Sequence, residues 1–244
     1  MEPLTIITVN YLAKPYIEFQ HSLIRRYSPD LIFKYVVVDN SPEPEVLDIP
    51  YLYIKKAEYT LKEDKFINYA SFSHAAALDK ALPQIHTRFA LITDPDFFLM
   101  VNIPQVLEYM QQEKISVYGS PYVVDPTKKK VYGVPVAFNM FVDTKLVDIS
   151  KWTFTPSGVR EDGILGDTGV AVYESIRDNC KYEATIPYES GAADLYAWIP
   201  PGETKHKLYG VHCRAKLHLR KDDQNKLRDR IDSQLKNARR IIGG

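Results

Sequence analysis

Short apolar runs separated by polar turns recur along the first half of the chain. Leu4 to Val9, Lys34 to Val38 and Phe89 to Ile92 are rich in β-branched and other apolar residues, as is typical of strands buried on both faces of a sheet. Segments with helical spacing lie between them, and the first begins near Pro15, a residue suited to a first helical turn. This alternation predicts an α/β fold with a mostly parallel sheet and helices on both faces over about residues 1–120.

The second half of the chain has a less regular pattern. The predicted elements are strands near 131–134, 137–142 and 207–211, a helix near 170–177 with Asp167 and Thr168 at its cap positions, and an irregular segment at 187–202. We expect one domain over residues 1–215, with halves at 1–120 and 121–215, and a C-terminal helical extension over 216–244.

The helical extension is basic and amphipathic. Basic residues outnumber acidic ones over 216–240, and Leu227, Ile231 and Leu235 share one helical face. We expect this apolar stripe to pack back onto the domain. Peripheral binding to an anionic membrane surface and self-association are the alternatives.

Carboxylates follow the apolar strands directly. Asp39 comes after the strand at 34–38, and Asp94 and Asp96 come after the strand at 89–92. Pro95 between the two acids cannot donate a ladder hydrogen bond, which suits a strand end. Because open α/β sheets bind ligands at the carboxyl ends of their strands, the acid pair predicts a Mg²⁺ or Mn²⁺ site shared with a diphosphate. A solvated Asp-Pro-Asp turn is the alternative.

Composition and the absence of common motifs give no support for several classes of protein. The chain has 244 residues with 31 basic and 31 acidic side chains, a balance that does not indicate a nucleic-acid partner. Two cysteines make no disulfide framework, and the first residues lack the features of a signal peptide, so we expect a cytoplasmic location. No apolar run approaches the ~18 residues of a membrane span. Neither a Gly-x-Gly-x-x-Gly fingerprint nor a Gly-x-x-x-x-Gly-Lys loop is present, so a nucleotide must be held in another way.

Three motifs together resemble the GT-A-fold glycosyltransferases. They are Thr5 to Tyr11, Val36 to Ser41 and Phe89 to Asp96, in the order and at the spacing of the nucleotide-binding half of that fold. The similarity is greatest to the large, mostly inverting family of non-processive enzymes that use nucleotide-diphosphate sugars. It covers about the first 120 residues well and the rest through isolated motifs.

The resemblance implies roles for the residues at the strand ends. Thr8 and Asn10 are expected to line the nucleotide pocket, and Asp39 to accept hydrogen bonds from the base or the ribose. An Asx-turn is the alternative role for Asp39.

The metal site is implied in the same way. Asp96 is expected to be the firmer metal ligand, and Asp94 to contact the ribose or the metal. His212 matches the late histidine of the fold, which completes the metal shell or touches the diphosphate, although a core or surface histidine is equally compatible with its position.

The resemblance also implies a general base at the start of a helix beyond the central strands. Asp167, in the sequence Gly166 to Gly169, fits that position. Asp162 is the rival, because the family often has Glu-Asp there and this chain has Glu161-Asp162 five residues earlier. Either acid could instead cap a helix.

The expected function is therefore metal-dependent transfer of a sugar from a UDP-, GDP- or dTDP-sugar to a carbohydrate or glycan acceptor, with inversion by direct displacement. The chain lacks the Gln-x-x-Arg-Trp motif of processive synthases. A nucleotidyltransferase is a second interpretation, although residues 10–14 have no glycine with which to hold a triphosphate. A catalytically inactive glycan- or nucleotide-binding module is a third.

Overall fold

The computed structural model describes residues 2–56, 69–121, 133–155, 168–189, 193–213 and 224–243. The strands are β1 (Leu4–Asn10), β2 (Phe33–Asp39), β3 (Leu52–Lys55), β4 (Phe89–Thr93), β5 (Phe97–Leu99), β6 (Val117–Pro121), β7 (Pro135–Asp143), β8 (Tyr182–Ala184), β9 (Ile186–Glu189), β10 (Asp194–Trp198) and β11 (Lys207–His212). The helices are α1 (Lys14–Tyr27), α2 (Tyr69–Ala81), α3 (Ile103–Glu113), α4 (Val170–Asn179) and α5 (Gln224–Ile242), with short 3₁₀ turns at Leu82–Gln84 and Ile149–Lys151.

A seven-stranded sheet forms the centre of the described structure, in the order β3-β2-β1-β4-β7-β6-β8. Strand β7 is antiparallel to both of its neighbours, and the other neighbouring strands are parallel to each other. Every residue of β1 and β4 is buried, so both faces of the sheet are covered. The predicted fold class, a mostly parallel sheet in an α/β domain, is confirmed.

A second, antiparallel sheet joins the late strands to the chain that follows β4. Its order is β5-β11-β10-β9. The prediction that residues 187–202 are irregular was wrong. Strand β10 lies within that segment, and β9 begins one residue before it and continues into it. These strands are short and contain Pro187 and several aromatic residues, so no alternation is visible in the sequence.

The start of α4 also differs from the prediction. Its N-cap is Gly169, which has a φ of 77° and makes no side-chain capping bond. The hydroxyl of Thr168 instead donates to the carbonyl oxygen of Ser71 on α2, at 2.9 Å. Thr168 therefore connects two elements and does not cap the helix.

Helix α5 packs on the domain through its apolar face. Ile231, Leu235, Ala238 and Ile242 are buried. The guanidinium of Arg239 lies 5.3 Å from the ring centroid of Phe19 on α1. The expected packing of the stripe is confirmed for Ile231 and Leu235, and the side chain of Leu227 lies outside the described part. Among the residues that the structure describes, no helix is long and apolar enough to cross a membrane.

Candidate metal and nucleotide-sugar site

Two neighbouring acids meet a histidine that is distant in sequence at the carboxyl edge of the central sheet. Asp94 follows β4, Asp96 precedes β5, and His212 ends β11. One ligand atom from each lies within 4.8 Å of the other two. Nε2 of His212 is 3.5 Å from Oδ1 of Asp96. Two carboxylates and an imidazole at this spacing are a donor set that can hold a divalent cation.

The smaller sheet explains why His212 lies beside the acids. Strands β5 and β11 are antiparallel, with Phe97 opposite His212. The backbone N–H of Cys213 donates to the carbonyl oxygen of Asp96 at 3.0 Å. The ring of Phe138 stacks on the imidazole, with centroids 4.7 Å apart and 6° between the planes. These contacts fix both the position and the plane of the His212 ring.

The protonation of His212 is set by the acids around it. Burial alone would lower the pKa of His212, but the charges of Asp96 and Asp94, together with hydrogen bonds to Asp194 and Asp96, raise it to about 10. The imidazolium therefore offsets part of the carboxylate charge when no cation is bound. Because metal ligation needs the neutral ring, binding of a cation at this site is coupled to loss of that proton.

One oxygen of Asp94 has no hydrogen-bond donor among the described residues. This oxygen is Oδ1, and it is buried. Nε2 of His74 on α2 lies 3.3 Å from the same oxygen, which is within ion-pair range but not aligned for a hydrogen bond. A buried carboxylate oxygen without a donor is costly, and a cation would satisfy it. The residues present therefore fit Mn²⁺ or Mg²⁺.

Asn10 and Asp39 lie opposite each other at the ends of β1 and β2. The side-chain amide of Asn10 donates to Oδ1 of Asp39 at 3.1 Å, and the N–H of Ser41 donates to the same oxygen at 2.9 Å. Oδ2 accepts the N–H of Glu45 at 2.9 Å. Asp39 thus closes the turn after β2, the arrangement given above as its alternative role. Oδ2 keeps capacity for a further hydrogen bond, so the turn is compatible with a ligand contact.

The structure does not test the roles of the remaining predicted site residues. Thr8 is fully buried in β1, and its hydroxyl has no hydrogen-bond partner in the part of the chain that the structure describes. Its role in lining a nucleotide pocket stays a prediction. Asp162 and Asp167 both lie outside the described residues, so the choice between them as general base also stays open.

Sequence reasoning missed two residues at the site. Asp194 lies in β10, which was interpreted as irregular, so nothing in the pattern connected it with His212. His74 lies on α2, and only the fold brings it to Asp94.

Comparison with known proteins gives matches among solved structures. No protein-family model matches the chain, and no curated protein sequence matches it significantly. A mannosyltransferase from Pyrobaculum calidifontis, solved in complex with GDP-Man and Mn²⁺, is 14% identical over 75% of this chain and 54% of its own chain, with a TM-score of 0.50. Glucosyl-3-phosphoglycerate synthase from Mycobacterium tuberculosis is 11% identical over 73% of this chain and 66% of its own, with a TM-score of 0.42. TarS from S. aureus is 15% identical over 62% of this chain and 30% of its own, with a TM-score of 0.41.

The chain has the GT-A fold. The resemblance inferred from the three strand-end motifs is thereby confirmed at the level of the fold. At these identities the similarity shows the fold alone, and the chain spans about half the length of the mannosyltransferase that it matches, 54%.

Proposed function

We propose that this protein is a glycosyltransferase that moves a sugar from a nucleotide-diphosphate sugar to a hydroxyl group of a carbohydrate acceptor, with Mn²⁺ or Mg²⁺ as cofactor. The observation that carries the proposal is the meeting of Asp94, Asp96 and His212 at the carboxyl edge of a GT-A sheet. The mannosyltransferase of the same fold, solved with GDP-Man and Mn²⁺, supports the class of donor and the class of metal.

Asp94, Asp96 and His212 would hold the cation. When bound, the cation supplies positive charge that stabilises the departing nucleotide diphosphate. Asp96 and His212 are held at fixed positions by the pairing of β5 with β11, so the ligands are arranged before a donor arrives. His74, 3.3 Å from Asp94 on the α2 side, is placed to restrain Asp94.

Asn10 and Asp39 would receive the nucleoside. They lie at the ends of β1 and β2, on the same edge of the sheet as the acids after β4, and β1 is the strand between β2 and β4. A donor whose diphosphate lies at Asp94 and Asp96 would extend its nucleoside along this edge towards Asp39. We propose that Oδ2 of Asp39 accepts a hydrogen bond from the ribose or the base.

A carboxylate would then act as general base on the acceptor hydroxyl, giving inversion by direct displacement. The candidates are Asp167 and Asp162. Asp167 immediately precedes Thr168, whose hydroxyl is bonded to Ser71 on α2. Ser71 lies about one turn before His74, the residue beside Asp94. The hydrogen bond thus links Thr168 to the helix that carries His74. It supports a general base among the residues that precede Thr168 in sequence.

The proposal can be tested with the full chain and a panel of UDP-, GDP- and dTDP-sugars. We expect release of the nucleotide diphosphate from one class of donor, dependent on Mn²⁺ or Mg²⁺ and abolished by EDTA. Release of pyrophosphate from a nucleoside triphosphate and a sugar phosphate would instead identify a nucleotidyltransferase. Binding of nucleotide diphosphate and Mn²⁺ without turnover on any donor and acceptor would identify a binding module. The anomeric configuration of the product, read by NMR, tests inversion.

A further inference from the structure

A fully buried amide lies beneath the turn that carries Asp94 and Asp96. Gln20 of α1 has no exposed surface. Its Nε2 donates to the carbonyl oxygen of Asp94 at 2.9 Å and to that of Phe97 at 2.6 Å. Thr93 Oγ1 lies 3.4 Å from the same nitrogen. One side chain thus holds the first and last residues of the turn that contains both acids.

Tyr35 fixes the orientation of this amide. Its hydroxyl donates to Oε1 of Gln20 from strand β2, and burial raises the pKa of Tyr35, so the hydroxyl keeps its proton. The two carbonyl oxygens of the turn can only accept hydrogen bonds, so the NH₂ group of Gln20 must face them. A flipped amide, with its oxygen and nitrogen exchanged, would place Oε1 against both carbonyl oxygens. The arrangement of donors and acceptors therefore permits one orientation.

Other bonds hold the first residue of the turn: the N–H of Asp94 donates to the carbonyl oxygen of Phe138 at 3.0 Å, and the hydroxyl of Thr93 donates to the carbonyl oxygen of Asp94 at 3.3 Å. Pro95 has no N–H to donate, and the turn closes through one backbone bond, from the N–H of Phe97 to the carbonyl oxygen of Asp94, at 3.2 Å. The carboxylates of Asp94 and Asp96 repel each other. One oxygen of each nevertheless lies within 4.8 Å of the other and of a ring nitrogen of His212. On the other side, the N–H of Cys213 holds the carbonyl oxygen of Asp96. Gln20 is the corresponding restraint on the side of α1.

We infer that Gln20 and Tyr35 are positioning residues for the cation site, and that they hold the Asp94–Phe97 turn in the conformation that brings the carboxylates together. This inference rests on the proposed metal-dependent function. It assigns a role in cation affinity to two buried side chains. Gln20 bonds the backbone of the turn and Tyr35 bonds Gln20, so both would act on the carboxylates through the turn.

The test compares Gln20→Met and Tyr35→Phe with the wild-type chain. Gln20→Met keeps a similar volume and removes the donors, whereas Tyr35→Phe removes only the hydroxyl that orients the amide. The dissociation constant of Mn²⁺ is measured by EPR of the free ion, and the free energy of unfolding is measured separately in EDTA. We expect Mn²⁺ to bind roughly 10-fold more weakly to Gln20→Met, at the lower end of the range for residues that support metal ligands. The effect of Tyr35→Phe should be smaller than that range, roughly 3-fold, because the donors of Gln20 remain.

A matched control is available in Tyr109→Phe. The hydroxyl of Tyr109 on α3 donates to Glu183 on β8 at 2.8 Å, in a part-buried position. Strand β8 is the edge strand at the opposite end of the central sheet from β2 and β3. This variant loses one tyrosine hydrogen bond, as Tyr35→Phe does, without touching the turn. We expect its Mn²⁺ dissociation constant to equal that of the wild type.

The outcomes separate this inference from the proposed function. Weaker Mn²⁺ binding in the two variants, with wild-type affinity in the control, supports the positioning role. Lower stability with unchanged Mn²⁺ affinity in both variants would show that Gln20 and Tyr35 are only structural, and would overturn the inference while leaving the metal site in place. Failure of the wild-type chain itself to bind Mn²⁺ would overturn the proposed metal dependence and this inference with it.

Discussion

Asp194 on β10 lies directly opposite His212 on β11, with Oδ2 of Asp194 3.7 Å from Nδ1 of the imidazole. The other ring nitrogen, Nε2, is 3.5 Å from Asp96. Carboxylates that contact the distal nitrogen of a metal-binding histidine fix its tautomer and orientation. Asp194 is therefore placed to direct Nε2 towards the acids.

The first prediction is that Asp194→Asn weakens Mn²⁺ binding by roughly 10-fold or more, the loss typical for such a supporting carboxylate. The amide has nearly the same shape but no charge with which to hold the Nδ1 proton. Isothermal titration with Mn²⁺ measures the effect. Asp148→Asn is the control, since Asp148 is exposed and its side chain bonds Ser150 in a 3₁₀ turn. Equal Mn²⁺ affinities for the two variants would show that Asp194 does not support cation binding.

The second prediction is that Asp96→Asn abolishes metal-dependent transfer and leaves the fold intact. Asp96 is 5% exposed and thus more buried than a solvent-facing strand end would be, so the isosteric amide is a cleaner change than alanine. The loss of a ligand charge beside His212 should eliminate nucleotide diphosphate release, while the circular dichroism spectrum stays that of the wild type. Near-normal turnover at limiting Mn²⁺ would contradict the metal role of Asp96.

The third prediction concerns the general base. Asp167→Asn should lower turnover by ~100-fold or more with little change in donor affinity, which is the scale of a lost general base. Asp162→Asn should have a mild effect. Steady-state kinetics with a saturating acceptor give both values. The reverse ranking would assign the base to Asp162, and two mild effects would mean that neither acid is the base.

The first half of the fold was predictable from the sequence because its strands are buried on both faces. Continuous apolar runs such as Val36 to Val38 have no alternative but the interior of a sheet, and the acids that end these runs mark its carboxyl edge. The positions of Asp39, Asp94 and Asp96 followed from local pattern alone.

The second half was not predictable in the same way. Strands β9 and β10 have four and five residues, and β10 pairs with β9 on one side and with β11 on the other, an arrangement that no local pattern in the sequence shows. The links of Asp194 to His212 and of Gln20 to the Asp94–Phe97 turn exist only once the chain has folded. Sequence could therefore predict the candidate ligands, but not the residues that contact them or their turn from distant parts of the chain.

Helix α5 is tied to the domain by polar contacts as well as by its apolar face. The hydroxyl of Tyr16 on α1 donates to Oε1 of Gln234, and Nε2 of Gln234 donates to the carbonyl oxygen of Cys213 at 2.9 Å. Cys213 directly follows His212, so the helix is connected to the strand end that supplies the candidate ligand.

The last prediction is that α5 stabilises the domain and does not bind membranes. Leu235 is 5% exposed, so Leu235→Ala should lower the free energy of unfolding by about 2–4 kcal/mol through lost burial and a residual cavity. Ser233→Ala, at an exposed position of the same helix, should change it little. Because Ile231 and Leu235 of the apolar stripe are already covered, contact with a lipid surface would depend on the basic residues of the helix. At ~0.15 M salt a Debye length near 8 Å screens those charges. The full chain should therefore not co-sediment with anionic vesicles at that salt concentration. Stable co-sedimentation, together with a negligible effect of Leu235→Ala on stability, would mean that the stripe leaves the domain to bind lipid.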